Sequence, residues 1–316
     1  MNLQELIRQY IVYRKTLGCK FRGNGFYLES FCKMTGPDTS VESVNRVAVN
    51  RFLYGENRKI TTGWFRRHNA LKGFFQYAKA REHIREIPLQ EELPKHTSDF
   101  TPYIYSKQEI RLLLETALSC KRPKSFTSGI TIRMMLLMTY SLGLRKMETV
   151  SIRLRDVDLI ESVIVIASGK FYKTRLVPFN LQIKKEIKNY LSYRKKQGLS
   201  QDPESSLFLN NRGNSVSGNV FYKSFERIRT ESGICRDDGA YCQPRLHDLR
   251  HTFAVNRLTL WYKEKRNVQV LLPVLSTYMG HVQLSHTSVY LTMTDDLLQE
   301  ANNHFENYIT KNNHED

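Results

Sequence analysis

Apolar residues recur at helical spacing from Leu3 through Ala80, and between Glu86 and Tyr105 that periodicity stops. The interrupting stretch, IPLQEELPKHTSDFTPYIY, holds three prolines and mixed charge, the composition of a linker. A chain broken in this way cannot bury one continuous core. Two bodies are expected: residues 1–86, a linker over 87–104, and a second body over 105–316. The length of 316 residues agrees, because cores beyond roughly 250 residues usually split.

The first body reads as four helices. The pattern begins at Leu3, Leu6, Ile7, Tyr10 and Ile11 and resumes in GFYLESFCKM, VESVNRVAVNRFLYG and GWFRRHNALKGFFQYAKA. In the last of these, Trp64, Phe65, Phe74, Phe75 and Tyr77 alternate with Arg66, Arg67, Lys72 and Lys79. One face can pack while the other meets phosphates, and a plain amphipathic core helix has the same pattern.

The second body opens with Ser106 and Glu109 as a capping box, Tyr105 and Ile110 being placed to staple the entry. TIRMMLLMTYSLGL follows as an almost continuously apolar helix. SVIVIASGK and TRLVPF are two short β-branched runs around a basic turn, the pattern of a hairpin. LQIKKEIKNYLSYRKKQG returns to helix, and NNRGNSVSG punctuates before further helices. The fold class expected is mainly α with a small antiparallel β-sheet.

Charge points to the partner. Lys and Arg number 48 against 31 Asp and Glu, a net charge of +17, which calls for a polyanion such as nucleic acid. The excess is +7 over residues 1–100 and +10 over the rest, so both bodies are expected to touch it. Solvated charge kept for solubility is the plainer alternative. No run approaches the roughly 18 apolar residues of a membrane span, and the first twenty residues carry charges throughout, so a cytoplasmic, nucleoid-associated address is expected. Five cysteines without a CxxC pair fit reduced thiols better than disulfides or zinc.

Taken singly, the polar candidates carry two readings each. LHDLRH sets His247 and Arg250 on one helical face, where they could address one small anion or serve the structure. Arg145, in GLRKME at a helix start, could meet an anion or pair with Glu148 one turn on. Lys170 could be a phosphate lysine or a solvated turn residue. In GHVQLSHTSVYL, Tyr290 follows His281 by nine residues and could be a half-buried aromatic or a nucleophile.

In order and spacing, GLRKMET, SGKFYKTRLVPF, LHDLRHTFA and GHVQLSHTSVYL together resemble the tyrosine recombinases, the phage integrase family that includes the Xer proteins. The resemblance covers roughly residues 104 to 300, and the four-helix segment before it looks like that family's core-binding domain. It implies Arg145 as the first arginine, Lys170 as the hairpin lysine, His247 with Arg250 as the paired motif, His281 as the last histidine position and Tyr290 as the nucleophile. Lys173 and His286 are the neighbouring alternatives to Lys170 and His281, and His251 is expected to be a structural neighbour of Arg250.

The implied reaction is site-specific strand exchange through a 3′-phosphotyrosyl intermediate. His247 would accept the phenol proton, Arg145, Arg250 and His281 would stabilise the phosphate oxygens, and Lys170 would protonate the leaving 5′ oxygen. No metal or other cofactor is expected, since guanidinium groups supply the charge. The implied partners are a double-stranded recombination site, further copies of the chain up to a tetramer on DNA, and an accessory recombinase or directionality factor. Residues 295–309 read as a last amphipathic helix that docks either on a neighbouring protomer or on its own domain. Two rivals share features with this reading: a type IB topoisomerase, and a catalytically silent DNA-binding factor.

Overall fold

The computed structural model describes residues 1–299 except 20, 56–59, 91, 95–100, 120–125, 168–173, 241, 282 and 293–297. The chain divides into two compact units, Met1–Asp99 and Phe100–Asp316.

The first unit is helical: α1 (Leu3–Thr16), α2 (Arg22–Thr35), α3 (Arg46–Tyr54) and α4 (Thr62–Ala80). Asn2, Asn45 and Thr61 cap three of these, their side-chain oxygens accepting from the backbone N–H groups of Glu5, Ala48 and Trp64. Such caps satisfy donors that the first turn leaves open and stabilise each helix by about 1 kcal/mol. α4 supplies the centre of the core with Trp64, Leu71, Phe74 and Phe75, all fully buried. Its Arg66, Lys72 and Lys79 lie on the exposed face.

The second unit starts at the Ser106 cap. The Ser106 hydroxyl accepts from Glu109 N at 3.1 Å, and the Glu109 carboxylate accepts from Ser106 N at 2.8 Å, which opens α5 (Lys107–Ser119). α6 (Gly129–Ser141) is the apolar run of the sequence, and it is buried on nearly every side through Ile132, Met134, Met135, Leu136 and Met138. It packs against α5 and four helices that follow: α7 (Lys146–Ser151), α8 (Leu181–Lys196), α9 (Gly218–Glu231) and α10 (Asp248–Lys263). A helix apolar all round belongs at the centre of such a bundle.

Three short antiparallel strands, β1 (Val157–Asp158), β2 (Val163–Ile166) and β3 (Arg175–Pro178), lie in that order. The hairpin register sets Val163 opposite Pro178 and Ile166 opposite Arg175. Its turn, with Lys170 and Lys173, lies outside the described residues.

α11 (Val268–Met279) follows α10, and α12 (Ser285–Ser288) runs into a 3₁₀ turn, Val289–Thr292, that carries Tyr290. Phe253, Leu258, Leu272, Met279 and Tyr290 share a small core of their own. The amphipathic segment expected over 295–309 lies outside the described residues apart from Leu298 and Gln299. Among the described residues no helix is long and apolar enough to cross a membrane.

Candidate active site

The site is built around the carboxyl end of α11. A helix ends with carbonyls that have no partner inside it and with the negative pole of its dipole, so cations gather there. Here three consecutive carbonyls each accept from a different arginine. Tyr278 O accepts from Arg175 Nε at 2.8 Å, Met279 O from Arg250 Nη2 at 2.5 Å, and Gly280 O from Arg145 Nη2 at 2.7 Å. Gly280 closes the helix with φ +66°, and a Cβ built there would stand 3.2 Å from Arg175 Nη1 and 3.3 Å from Arg145 Nη1. The left-handed turn and the two crowding guanidinium groups both favour glycine.

One carboxylate knits the arginines together. Glu148, one turn into α7, accepts from Arg145 N at 2.8 Å and Arg145 Nη1 at 2.7 Å, and from both terminal nitrogens of Arg175 at 2.8 Å. Arg250 Nη1 stands 3.9 Å from the same carboxylate. Burial alone would raise the Glu148 carboxyl, but the Arg175 fork and Arg145 hold it down to about 2. Three guanidinium groups against one carboxylate leave a cationic excess suited to a phosphate. Arg145 is the accessible member, with 26% of its side chain exposed against 1% for Arg250.

Arg250 is positioned from two sides. Its Nη1 donates to Gly143 O at 2.5 Å, and its Nη2 also meets His281 Nε2 at 3.1 Å. Gly143, with φ +58°, is the turn that delivers the Arg145 segment after α6, and Phe253 packs directly over it. Desolvation and the nearby Arg145 push Arg250 down to about 9, so it stays a cation at neutral pH.

His281 bonds through Nδ1 to Thr287 Oγ1 at 2.7 Å, which fixes its ring beside Arg250 and 6.2 Å, centroid to centroid, from the ring of Tyr290. Burial, then Arg250 and Arg145, push His281 down to about 3. His247, at the start of α10, is exposed at the surface yet crowded by Arg250 and Arg245. Desolvation and those cations bring it to about 4.

Tyr290 is 3% exposed, and burial raises its phenol against the opposing pull of Arg250 and Arg145. Its hydroxyl lies 3.0 Å from Nδ1 of His251. The structure adds two contacts to the sequence reading. The phenol hydroxyl lies against His251, and the His251 ring, beside its place next to Arg250, packs on that of Tyr290. The i, i+4 spacing explains both, because it places His251 on the His247 face of α10, one turn farther along, where its ring packs at 5.5 Å against that of Tyr290.

Of the residues singled out from the sequence, Arg145, His247, Arg250, His281 and Tyr290 converge here, while Lys170 lies outside the described residues. His286 stacks edge-on to His281 at 6.1 Å, whereas His281 makes the Arg250 bond. Glu148 and Arg175 were not expected as parts of the site. The i, i+3 pairing of Arg145 with Glu148 was legible, but nothing in TRLVPF signals that the first arginine of the strand turns inward. The assembly offers cationic donors, neutral imidazoles and a phenol, the groups that nucleophilic attack on a phosphodiester requires.

Comparison with known proteins agrees with this chemistry. Residues 104–296 match the phage integrase family. The chain is 30% identical over 302 residues to y4rB of Sinorhizobium fredii (strain NBRC 101917 / NGR234), whose name places it among integrases and recombinases, across 95% of this chain and 96% of that protein. It is 28% identical over 236 residues to tyrosine recombinase XerC of Bacillus subtilis (strain 168), across 74% and 71% of the two chains. Its fold is similar to that of the Tn1549 transposon integrase in complex with transposon right end DNA, with a TM-score of 0.71 at 16% identity over 97% of this chain and 99% of that one.

Proposed function

Because this chain belongs to the phage integrase family, and is therefore a site-specific DNA recombinase with a tyrosine nucleophile, we propose that Tyr290 is that nucleophile. The observation that carries the assignment is the convergence of Arg145, Arg250 and His281, drawn from three separate stretches of the chain, beside the ring of Tyr290.

In the proposed reaction the phenolic oxygen forms a bond to phosphorus, the bond from phosphorus to the 5′ oxygen breaks, and the 3′ phosphate stays on the tyrosine. The ester keeps the energy of the broken bond, so a second 5′ hydroxyl can reverse the step and complete an exchange. Arg145 and Arg250 donate to the nonbridging oxygens as negative charge develops, and His281 adds a further hydrogen bond. The phenol proton passes to His247, whose ring gains basicity from the negative charge of the bound phosphate. Lys170 protonates the departing 5′ oxygen.

The first unit, with Arg66, Lys72 and Lys79 exposed along α4, serves as a second DNA-binding surface. Exchange between two duplexes cuts four strands, which supports a tetramer on DNA. The names of the y4rB and Tn1549 proteins support the movement of a mobile element by integration, excision or transposition. Such work belongs in the cytoplasm at the nucleoid, with an accessory recombinase or directionality factor as a further partner.

The test is covalent trapping on a nicked suicide substrate. Wild-type protein should yield an adduct whose mass-mapped attachment is Tyr290, and Tyr290→Phe should yield none. Attachment at another residue would overturn the assignment.

A further inference from the structure

His251 is the group that touches the phenol. It lies on α10 against Tyr290, which belongs to the small core described above, and its Nδ1 lies 3.0 Å from the hydroxyl. The ring of His247 meets it edge-on at 4.8 Å and 89°. With the ring proton on Nε2 the hydroxyl donates and Nδ1 accepts, the arrangement that leaves the phenol oxygen free of a donor. Tyr290 is 3% exposed, and a buried hydroxyl without a partner would be costly, so this bond selects the rotation of the phenol as well as its depth.

Resting on the reading of Tyr290 as nucleophile, we propose that His251 is a positioning residue: it holds the attacking hydroxyl in one orientation as a neutral hydrogen-bond acceptor, and leaves the taking of the proton to another group. Its surroundings suit that role. Burial, together with His247, Arg245, Arg250 and His281, pushes His251 down to about 3, while burial pushes the phenol up. An imidazole in that setting accepts a hydrogen bond readily and a proton poorly. Holding a nucleophile within reach and in register is worth orders of magnitude in rate when the alternative is a freely rotating side chain.

The test compares three single-turnover rates of adduct formation on the nicked suicide substrate, at saturating protein and across pH 6 to 9. His251→Leu removes the acceptor, and its adduct should form about 10- to 100-fold more slowly while DNA binding by gel shift stays within about twofold. His251→Asn restores an acceptor oxygen near the place of Nδ1, and its rate should return to within about threefold of wild type with a superimposable pH profile. Tyr290→Phe is the control.

A His251→Leu protein as fast as wild type would overturn the proposal. So would a folded His251→Asn protein as slow as the leucine variant, or one that loses a limb of the pH profile, because the ring would then be acting as a base. If the leucine variant does not fold, the asparagine variant decides alone. An adduct formed by Tyr290→Phe would instead remove the reading of the nucleophile, an outcome separate from either failure of His251.

Discussion

Arg175 grips both carboxylate oxygens of Glu148, each at 2.8 Å, from the first position of strand β3. The two residues come from different elements and are both nearly buried, at 9% and 6% side-chain exposure. Through Nε the same guanidinium reaches Tyr278 O, so the hairpin strand, α7 and the end of α11 are tied at one point. The strand that leads out of the Lys170 turn is thereby anchored to the site.

Replacing Arg175 with Met would leave the buried Glu148 carboxylate short of its bidentate partner. Breaking one side of a buried pair costs about 3 to 5 kcal/mol, and urea unfolding at pH 7 should show a loss of that order. Acid adds a second reading. Glu148 titrates near 2 in the fold, so its contribution is complete above the ordinary carboxylate range near 4.5 and is lost as pH falls through about 2. The shift corresponds to about 3 kcal/mol, and Glu148→Gln should abolish the pH dependence that it causes.

The histidines act on stability at higher pH. His251 and His281 take protons in the fold only near 3, whereas in the unfolded chain they do so near 6.5. The unfolded state therefore binds more protons below about 6.5, and stability should fall as pH drops from there toward 3, by about 1.4 kcal/mol per pH unit for each ring. Unfolding curves between pH 7 and 4 should show this slope, and His281→Gln should lessen it.

Gly280→Ala should injure catalysis more than folding. The left-handed φ of +66° costs an alanine about 1 to 2 kcal/mol, and its methyl would press on Arg145 and Arg175. The expected result is a modest loss in melting temperature with a loss of about 10-fold or more in adduct rate. Equal rates for the two proteins would show that the arginines tolerate the displacement.

Arg250→Lys keeps the charge and loses the fork. A single ammonium cannot reproduce donation to Gly143 O and Met279 O together with the contact to His281. Cleavage should fall by about 10² to 10³, while gel-shift affinity for the DNA site changes little, since many phosphate contacts share it.

With guanidinium groups supplying the positive charge, cleavage and rejoining should proceed at full rate in excess EDTA. A suicide-substrate assay with and without the chelator checks this, and restoration of lost activity by Mg²⁺ would contradict the assigned roles.

The fold was readable wherever local chemistry decides structure. The Ser106 and Glu109 box, the apolar α6 and the β-branched runs of β2 and β3 each follow from short-range pattern, and all are present. The short strand β1 escaped notice because two residues carry no period. Within the site, the residues set by motif spacing could be named, but partnerships formed across the fold could not. Arg175 meets Glu148 across 27 positions and Tyr278 across 103, distances at which no sequence pattern operates. His251 lay within reach of reasoning, since HDLRH puts it on the His247 face, but its tyrosine lies 39 residues away.

Three arginines at positions 145, 175 and 250 share one docking point that the chain supplies only at 278–280. During synthesis the last of these side chains emerges well before the carbonyls that gather them. A nascent or truncated polypeptide ending short of that helix terminus would carry every guanidinium group and still lack the means to array them.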